Sequence, residues 1–171
     1  MILFFIYTHD NIQQRVKEET SLLGERRRRV RGDGGEVELF DEIVFDEEYE
    51  SLFRRLFLEA HAELLSGISS NYLKDTPTDL TPVFREFPDY RQDRDFLLWL
   101  NMPCDFTEQY RKSIDVKIEQ FLIDYICWRW LETKSPQDAA TYFGRWNDAK
   151  EKVKKMLARK NCPISRLPSF P

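Results

Sequence analysis

The chain has 171 residues, a length that suits one domain able to bury a core without disulfide or metal support. Its residues are 42% hydrophobic and 14% aromatic, which excludes global disorder. The net charge of −4 argues against a protein whose whole surface binds nucleic acid. We predict a single helical domain over residues 1–171.

The charges are distributed unevenly along the chain. Residues 36–63 contain ten carboxylates and two arginines, whereas residues 136–171 contain eight Lys or Arg and three acids. Two such segments attract each other either within one chain or head to tail between neighbouring subunits. Two solvated helix faces are the simpler interpretation of the same pattern.

The residues that commonly carry chemistry are scattered. The three cysteines, Cys104, Cys127 and Cys162, form no CxxC pair and favour a reducing compartment. His9 and His61 have no cysteine near them, and the glycines form no phosphate-binding motif. We predict no catalytic residue, no metal, no cofactor and no small-molecule substrate.

The N-terminal region begins with an apolar stretch over residues 1–7, which is too short to span a membrane. We interpret it as a buried strand or a packing arm. Thr8 is a good N-cap for a helix that Gly24 is expected to end.

An Arg/Gly-rich loop is predicted over residues 24–45. It carries five arginines, Arg26, Arg27, Arg28, Arg29 and Arg31, followed by three glycines. One interpretation is that the arginines bind phosphates or the acidic surface of a partner. The other is a solvated loop.

The next helix is predicted from Asp46 to Ile68. Asp46 is a favourable N-cap, and Glu47 and Glu48 suit the positive end of the helix dipole. Apolar residues then recur at helical spacing. His61 lies at the edge of that apolar face, which indicates a packing or surface residue.

Four prolines interrupt residues 71–104. Between them lie two apolar pieces, Val83–Phe87 and Phe96–Met102, separated by a charged turn. This arrangement predicts an inserted β-hairpin, either a contact element or a surface ornament.

Two long helices are predicted to complete the domain. The first, from Thr107 to Thr133, is apolar on all sides after Phe121, which indicates a central position or a face given to another chain. Asp124 in that stretch needs a partner, either Arg129 or Arg145. A short junction and the helix start at Ser135–Asp138 predict an antiparallel hairpin. The predicted hairpin core is aromatic: Trp128, Trp130, Tyr142, Phe143 and Trp146.

The C-terminal helix and tail supply further candidate contacts. Lys150, Lys154, Lys155 and Arg159 make the helix end basic. Residues 161–171 contain three prolines and are predicted to be extended. Ile164, Leu167 and Phe170 recur at the three-residue period of polyproline II, which suits docking on a neighbour or a frayed terminus.

The order of elements, the segment Asp124–Trp130 and the helix start Ser135–Ala140 resemble the head–tail connector, or neck adaptor, proteins of tailed phages and prophages. Within that family the chain is most similar to connectors of Bacteroides-type gut prophages. The resemblance implies a mainly α fold, here a small helical bundle, and a ring between the portal and the tail. DNA would pass through its lumen without sequence-specific contact.

The resemblance also implies a location: the host cytoplasm during assembly, and the virion neck afterwards. Contact candidates are then the Arg26–Arg31 run, Asp46–Glu48, the basic helix end and the tail. A nucleic-acid-binding regulator that uses Arg26–Arg31 is the alternative function. A third is an enzyme in which Asp124 lies beside another unpaired carboxylate in an open pocket.

Overall fold

A computed structural model describes residues 2–31, 43–68, 73–75, 78–102, 106 and 109–158. The predicted mainly helical architecture is confirmed. The described elements, in chain order, are β1 (Ile2–Tyr7), α1 (His9–Arg31), α2 (Glu50–Gly67), α3 (Thr81–Glu86), β2 (Phe96–Asn101), α4 (Gln109–Leu131) and α5 (Pro136–Ala158).

The sheet has two antiparallel strands, β1 and β2, with Phe4 opposite Trp99. The predicted pairing of Val83–Phe87 with Phe96–Met102 is therefore wrong. Val83 lies in α3, a short helix with proline in its first turn, where the fixed φ of proline suits a helix start. The apolar strand β2 pairs with the N-terminal strand instead, so residues 2–7 form a strand, one of the two predicted alternatives.

Helix α1 runs through Gly24 and ends at Arg31. The expectation that Gly24 ends this helix, with a loop from residue 24 onward, is wrong. Arginine is a good helix former, so the arginines after Gly24 offset the cost of about 1 kcal/mol for an internal glycine. Arg27 also anchors the helix end to Asp138 on α5 through an ion pair of 2.7 Å.

Helix α2 begins later than predicted. A 3-10 turn at Glu47–Tyr49 precedes it, and the amide of Tyr49 donates to the carbonyl of Asp46. Tyr49 occupies the cap position and makes no side-chain cap hydrogen bond. Asp46 thus starts the turn that leads into the helix and does not cap the helix itself.

The α4–α5 hairpin forms the centre of the fold, and its prediction is confirmed. The amide of Ala139 donates to the carbonyl of Ser135 at 2.9 Å, at the expected helix start. Every residue from Phe121 to Cys127 is buried, because α4 contacts α1, α2 and α5. The all-round apolar stretch therefore marks the central helix.

One main core joins the strands and the long helices, and its fully buried members include Phe53, Phe96 and Phe121. A smaller cluster on the other face of the sheet joins Val83, Tyr90 and Trp99. Residues 32–42 of the predicted Arg/Gly-rich loop and residues 159–171 lie outside the described residues.

Candidate interaction surface

An aromatic cluster lies where α4 and α5 run side by side next to α2. Its members are Tyr125 and Trp128 on α4 and Phe143 and Trp146 on α5. We call these four residues the aromatic surface. Tyr125 and Trp146 are buried, Trp128 is half-buried, and Phe143 is 46% exposed. The prediction that Phe143 belongs to the hairpin core is wrong.

The four rings form one continuous set of contacts. The ring centroid of Trp128 lies 5.3 Å from Tyr125, 5.3 Å from Phe143 and 5.4 Å from Trp146. Most of these pairs are T-shaped, a favourable geometry for aromatic rings. Mutual packing holds the rings in place, so the exposed edge at Phe143 is preorganised.

Charged pairs border the aromatic surface on the α2 side. Arg129 Nε lies 3.4 Å from Glu59 Oε2, and its Cζ lies 5.6 Å from the centroid of Trp128. Lys150 Nζ lies 2.5 Å from Glu63 Oε1 and 5.9 Å from the centroid of Trp146. Gly67 leaves room for the lysine stem, which a Cβ at this position would contact. These pairs tie α2 to the hairpin, and Phe143 remains exposed.

The opposite side of the hairpin, facing α1, carries a polar network around the buried carboxyl of Asp124. Asp124 Oδ1 lies 3.0 Å from Arg145 Nη2, and Gln120 donates to Asp124 Oδ2 at 2.9 Å. Tyr142 donates to Glu19 Oε2 at 3.2 Å. Of the two predicted partners of Asp124, the structure shows Arg145, because Arg129 pairs with Glu59 instead.

Burial dominates the chemistry of this network. Desolvation raises the pKa of Asp124 to about 6, although the hydrogen bond from Gln120 and the charge of Arg145 lower it. Desolvation, helped by the charge of Asp124, raises the pKa of the Cys127 thiol well above its usual value. A buried, protonated thiol is a poor nucleophile. Cys127 is therefore a packing residue.

Among the described residues, one surface cavity, of about 440 Å³, is bordered by Tyr49, Arg129 and Trp130, and another, of about 410 Å³, is bordered by His61 and Phe96. Asp124 lines neither cavity. The geometry that would favour an enzyme, Asp124 beside a second unpaired carboxylate in either pocket, is therefore not observed in these described regions.

His61 is a packing residue, which is one of the two roles that the sequence predicts for it. Its ring centroid lies 3.4 Å from that of Phe96, and burial lowers its pKa to about 4. The charged imidazolium is thus disfavoured in the folded protein.

No pattern in the sequence indicates the role of His9. Its buried ring places Nε2 3.3 Å from Glu50 and Nδ1 3.2 Å from both Asp10 and Arg94, while its amide donates to Asp95. This cluster joins the start of α1, the start of α2 and the turn before β2. Such non-local contacts leave no pattern in the sequence.

The basic contact candidates are largely paired within the chain. Lys150 binds Glu63, and Lys154 binds Glu151 at 2.7 Å. Lys155 is exposed. Attraction between the acidic segment and the basic helix therefore occurs within one chain, at least for Glu63 and Lys150. Arg159, Ile164, Leu167 and Phe170 lie beyond the described residues.

The remaining charged candidates lie on two segments. Arg27 forms two hydrogen bonds to Asp138, at 2.7 and 3.1 Å, which commits it to the fold, whereas Arg26 is exposed. The side chains of Arg28, Arg29 and Arg31 are not among the described ones. Asp46 and Glu48 are exposed, and the side chain of Glu47 is not described.

Comparison with known proteins does not identify this chain. No family model, no curated protein and no solved structure matches it. No helix within the described ranges has the length and apolarity that a membrane crossing needs. Among the same residues, no group of three or more His, Cys, Asp or Glu side chains is arranged to hold a metal ion.

Proposed function

We propose that the chain is a structural virion-assembly protein, a head–tail connector that forms a ring between the portal and the tail. DNA passes through the lumen without sequence-specific contact. The proposal places the protein in the host cytoplasm during assembly and in the virion neck afterwards.

The aromatic surface is the observation that carries this proposal. Exposed aromatic residues on a rigid scaffold are characteristic of protein–protein contacts, where Trp, Tyr and Arg are enriched among residues that dominate binding. Trp128 and Phe143 supply the rings. Arg129 lies over the ring of Trp128, and Lys150 lies over the ring of Trp146. The helical layout and the resemblance of Asp124–Trp130 and Ser135–Ala140 to connectors point to a virion as the assembly.

Light scattering coupled to size exclusion tests the proposal. The protein is measured alone and mixed with the portal protein encoded nearest to its gene. We expect a ring-sized species in at least one sample, because a connector subunit either closes on itself or does so on its platform. A strict monomer in both samples would contradict the proposal.

Two single substitutions make this experiment specific to the aromatic surface. Phe143→Ala removes the exposed ring, and Leu22→Ala removes an apolar side chain that is 52% exposed on α1. We expect Phe143→Ala to reduce the ring-sized species by tenfold or so, about 1.4 kcal/mol at one contact, and Leu22→Ala to leave it unchanged. Equal behaviour of the two variants would remove this surface from the assembly.

A further inference from the structure

The exposed edge of the aromatic surface has the properties of a binding site. Phe143 makes ring contacts with Trp128 and Trp146, both on the same hairpin, and remains 46% exposed. Covering such rings is favourable by roughly 25 cal/mol for each Å² of apolar area removed from water. The question is which chain covers them.

The sequence after α5 matches this surface chemically. Prolines occupy positions 163, 168 and 171, and apolar residues recur every third position as Ile164, Leu167 and Phe170. Polyproline II has three residues per turn, so this spacing presents the three apolar side chains on one side of an extended chain. Proline-rich segments of this kind bind grooves lined with aromatic residues.

The segment is long enough to reach the aromatic surface. Phe143 lies 15 residues before the end of α5 at Ala158, a distance of roughly 22 Å at the rise of an α-helix. Residues 159–171 span about 40 Å if extended as polyproline II. Phe170 can therefore reach Phe143 from the same chain, and equally from an adjacent copy.

We infer that the aromatic surface is the docking site for the chain's own C-terminal segment, residues 159–171, with Leu167 and Phe170 placed against Trp128 and Phe143. The docking does not depend on ring formation, because a segment from the same chain and one from a neighbour make the same contacts. Its failure can therefore be distinguished from failure of the connector proposal.

Acrylamide quenching of tryptophan fluorescence in the full chain tests the docking. Of the four tryptophans, Trp128 is half-buried and the other three are buried. We expect Leu167→Ala combined with Phe170→Ala to make roughly a quarter of the emission newly accessible to the quencher, because Trp128 loses its cover. A synthetic peptide of residues 159–171 is expected to reverse the change.

The matched control is Ser165→Ala combined with Ser169→Ala, which alters the same segment outside the apolar repeat. We expect it to leave quenching unchanged. Trp128→Phe is expected to abolish the difference between the two tail variants. Unchanged quenching in the Leu167/Phe170 variant, or an equal rise in both tail variants, would overturn the inference.

Amide hydrogen exchange of residues 159–171 in the full chain provides a reciprocal test that leaves the segment intact. Docking predicts slowed exchange in the wild type, lost in Phe143→Ala and kept in Leu22→Ala. Exchange at the rate of an unstructured peptide in the wild type would also overturn the inference.

Discussion

The two sides of the α4–α5 hairpin differ in how completely they are covered. On the α1 side, a polar network surrounds the buried carboxyl of Asp124, which Arg145 and Gln120 contact, and the buried Tyr142 donates to Glu19. On the α2 side, the aromatic rings continue to the surface and end at Phe143. Both sides combine aromatic and charged residues, so composition does not distinguish them. The burial of the central side chains does: we assign stability to the α1 side and recognition to the α2 side.

The largest predicted effect is a difference in the free energy of unfolding between substitutions of two phenylalanines that both contact Trp146. Phe121 is fully buried and its ring centroid lies 5.9 Å from that of Trp146, whereas Phe143 is partly exposed. We expect Phe121→Ala to lower the free energy of unfolding by about 3–5 kcal/mol through cavity formation. Phe143→Ala is expected to cost less than about 1 kcal/mol. Urea denaturation measures both, and equal costs would mean that Phe143 packs in the core as Phe121 does.

On the α1 side, Arg145→Ala leaves the buried carboxyl of Asp124 with Gln120 as its remaining close partner. We expect a loss of about 1–3 kcal/mol, less than for a fully buried pair because Arg145 is half-exposed. Lys152→Ala on the same helix breaks an exposed pair with Asp148 and serves as the control. Thermal and urea unfolding are expected to detect no change in that control, and a similar loss in both variants would contradict the network's role.

The pH dependence of stability provides a third test, because Asp124 and His61 act in opposite directions. Asp124 has a pKa raised from 3.8 to about 6, so the free energy of unfolding decreases as pH rises through that window. His61 has a pKa lowered from 6.5 to about 4, so the free energy of unfolding decreases as pH falls through its window. The two contributions partly cancel between pH 4 and 6 in the wild type.

Single substitutions are expected to reveal each contribution. Asp124→Asn removes the contribution of Asp124, so the free energy of unfolding of this variant should fall more steeply than that of the wild type on acidification below pH 6. His61→Leu removes the contribution of His61, so the free energy of unfolding of that variant should rise on acidification over the same range. For each residue, the contribution to the free energy of unfolding changes by on the order of 3 kcal/mol across the pH window between its two pKa values. Denaturant titrations at several pH values measure them, and parallel profiles for all three proteins would contradict the assignment.

The smallest predicted effect concerns the arginine run. Arg27→Ala removes the ion pair with Asp138 and is expected to cost up to about 1 kcal/mol, since the pair is only partly buried. Arg26→Ala is expected to leave the melting temperature unchanged. If both variants retained wild-type stability, the helix end would not depend on this contact.

Local signals in the sequence were sufficient for much of the fold. The all-round apolar stretch after Phe121 predicted a central helix, and Ser135-Pro136 predicted the start of α5. Each of these predictions depends on residues within a few turns of one another. The ends of α4 differ from the prediction by about two residues, a usual error, whereas α2 begins four residues after Asp46 and α1 extends seven residues beyond Gly24.

Non-local contacts explain the errors. Strands β1 and β2 pair although residues 8–95, about half of the chain, lie between them, and their sequences do not specify each other as partners. Phe143 lies next to the buried stripe formed by Ala139, Tyr142 and Trp146, and the helical pattern alone does not show that this ring stays exposed. The choice of Arg145 over Arg129 for Asp124 likewise depends on how the helices pack.

Photo-crosslinking in the purified full chain tests the central claim most directly. A photoreactive phenylalanine analogue replaces Phe143 in one protein and Leu22 in another, and crosslinked peptides are identified by mass spectrometry. We predict that position 143 captures residues 159–171, from the same chain or another copy, and that position 22 does not. Absence of crosslinks at position 143 above the level at position 22 would contradict the assignment of recognition to the α2 side of the hairpin.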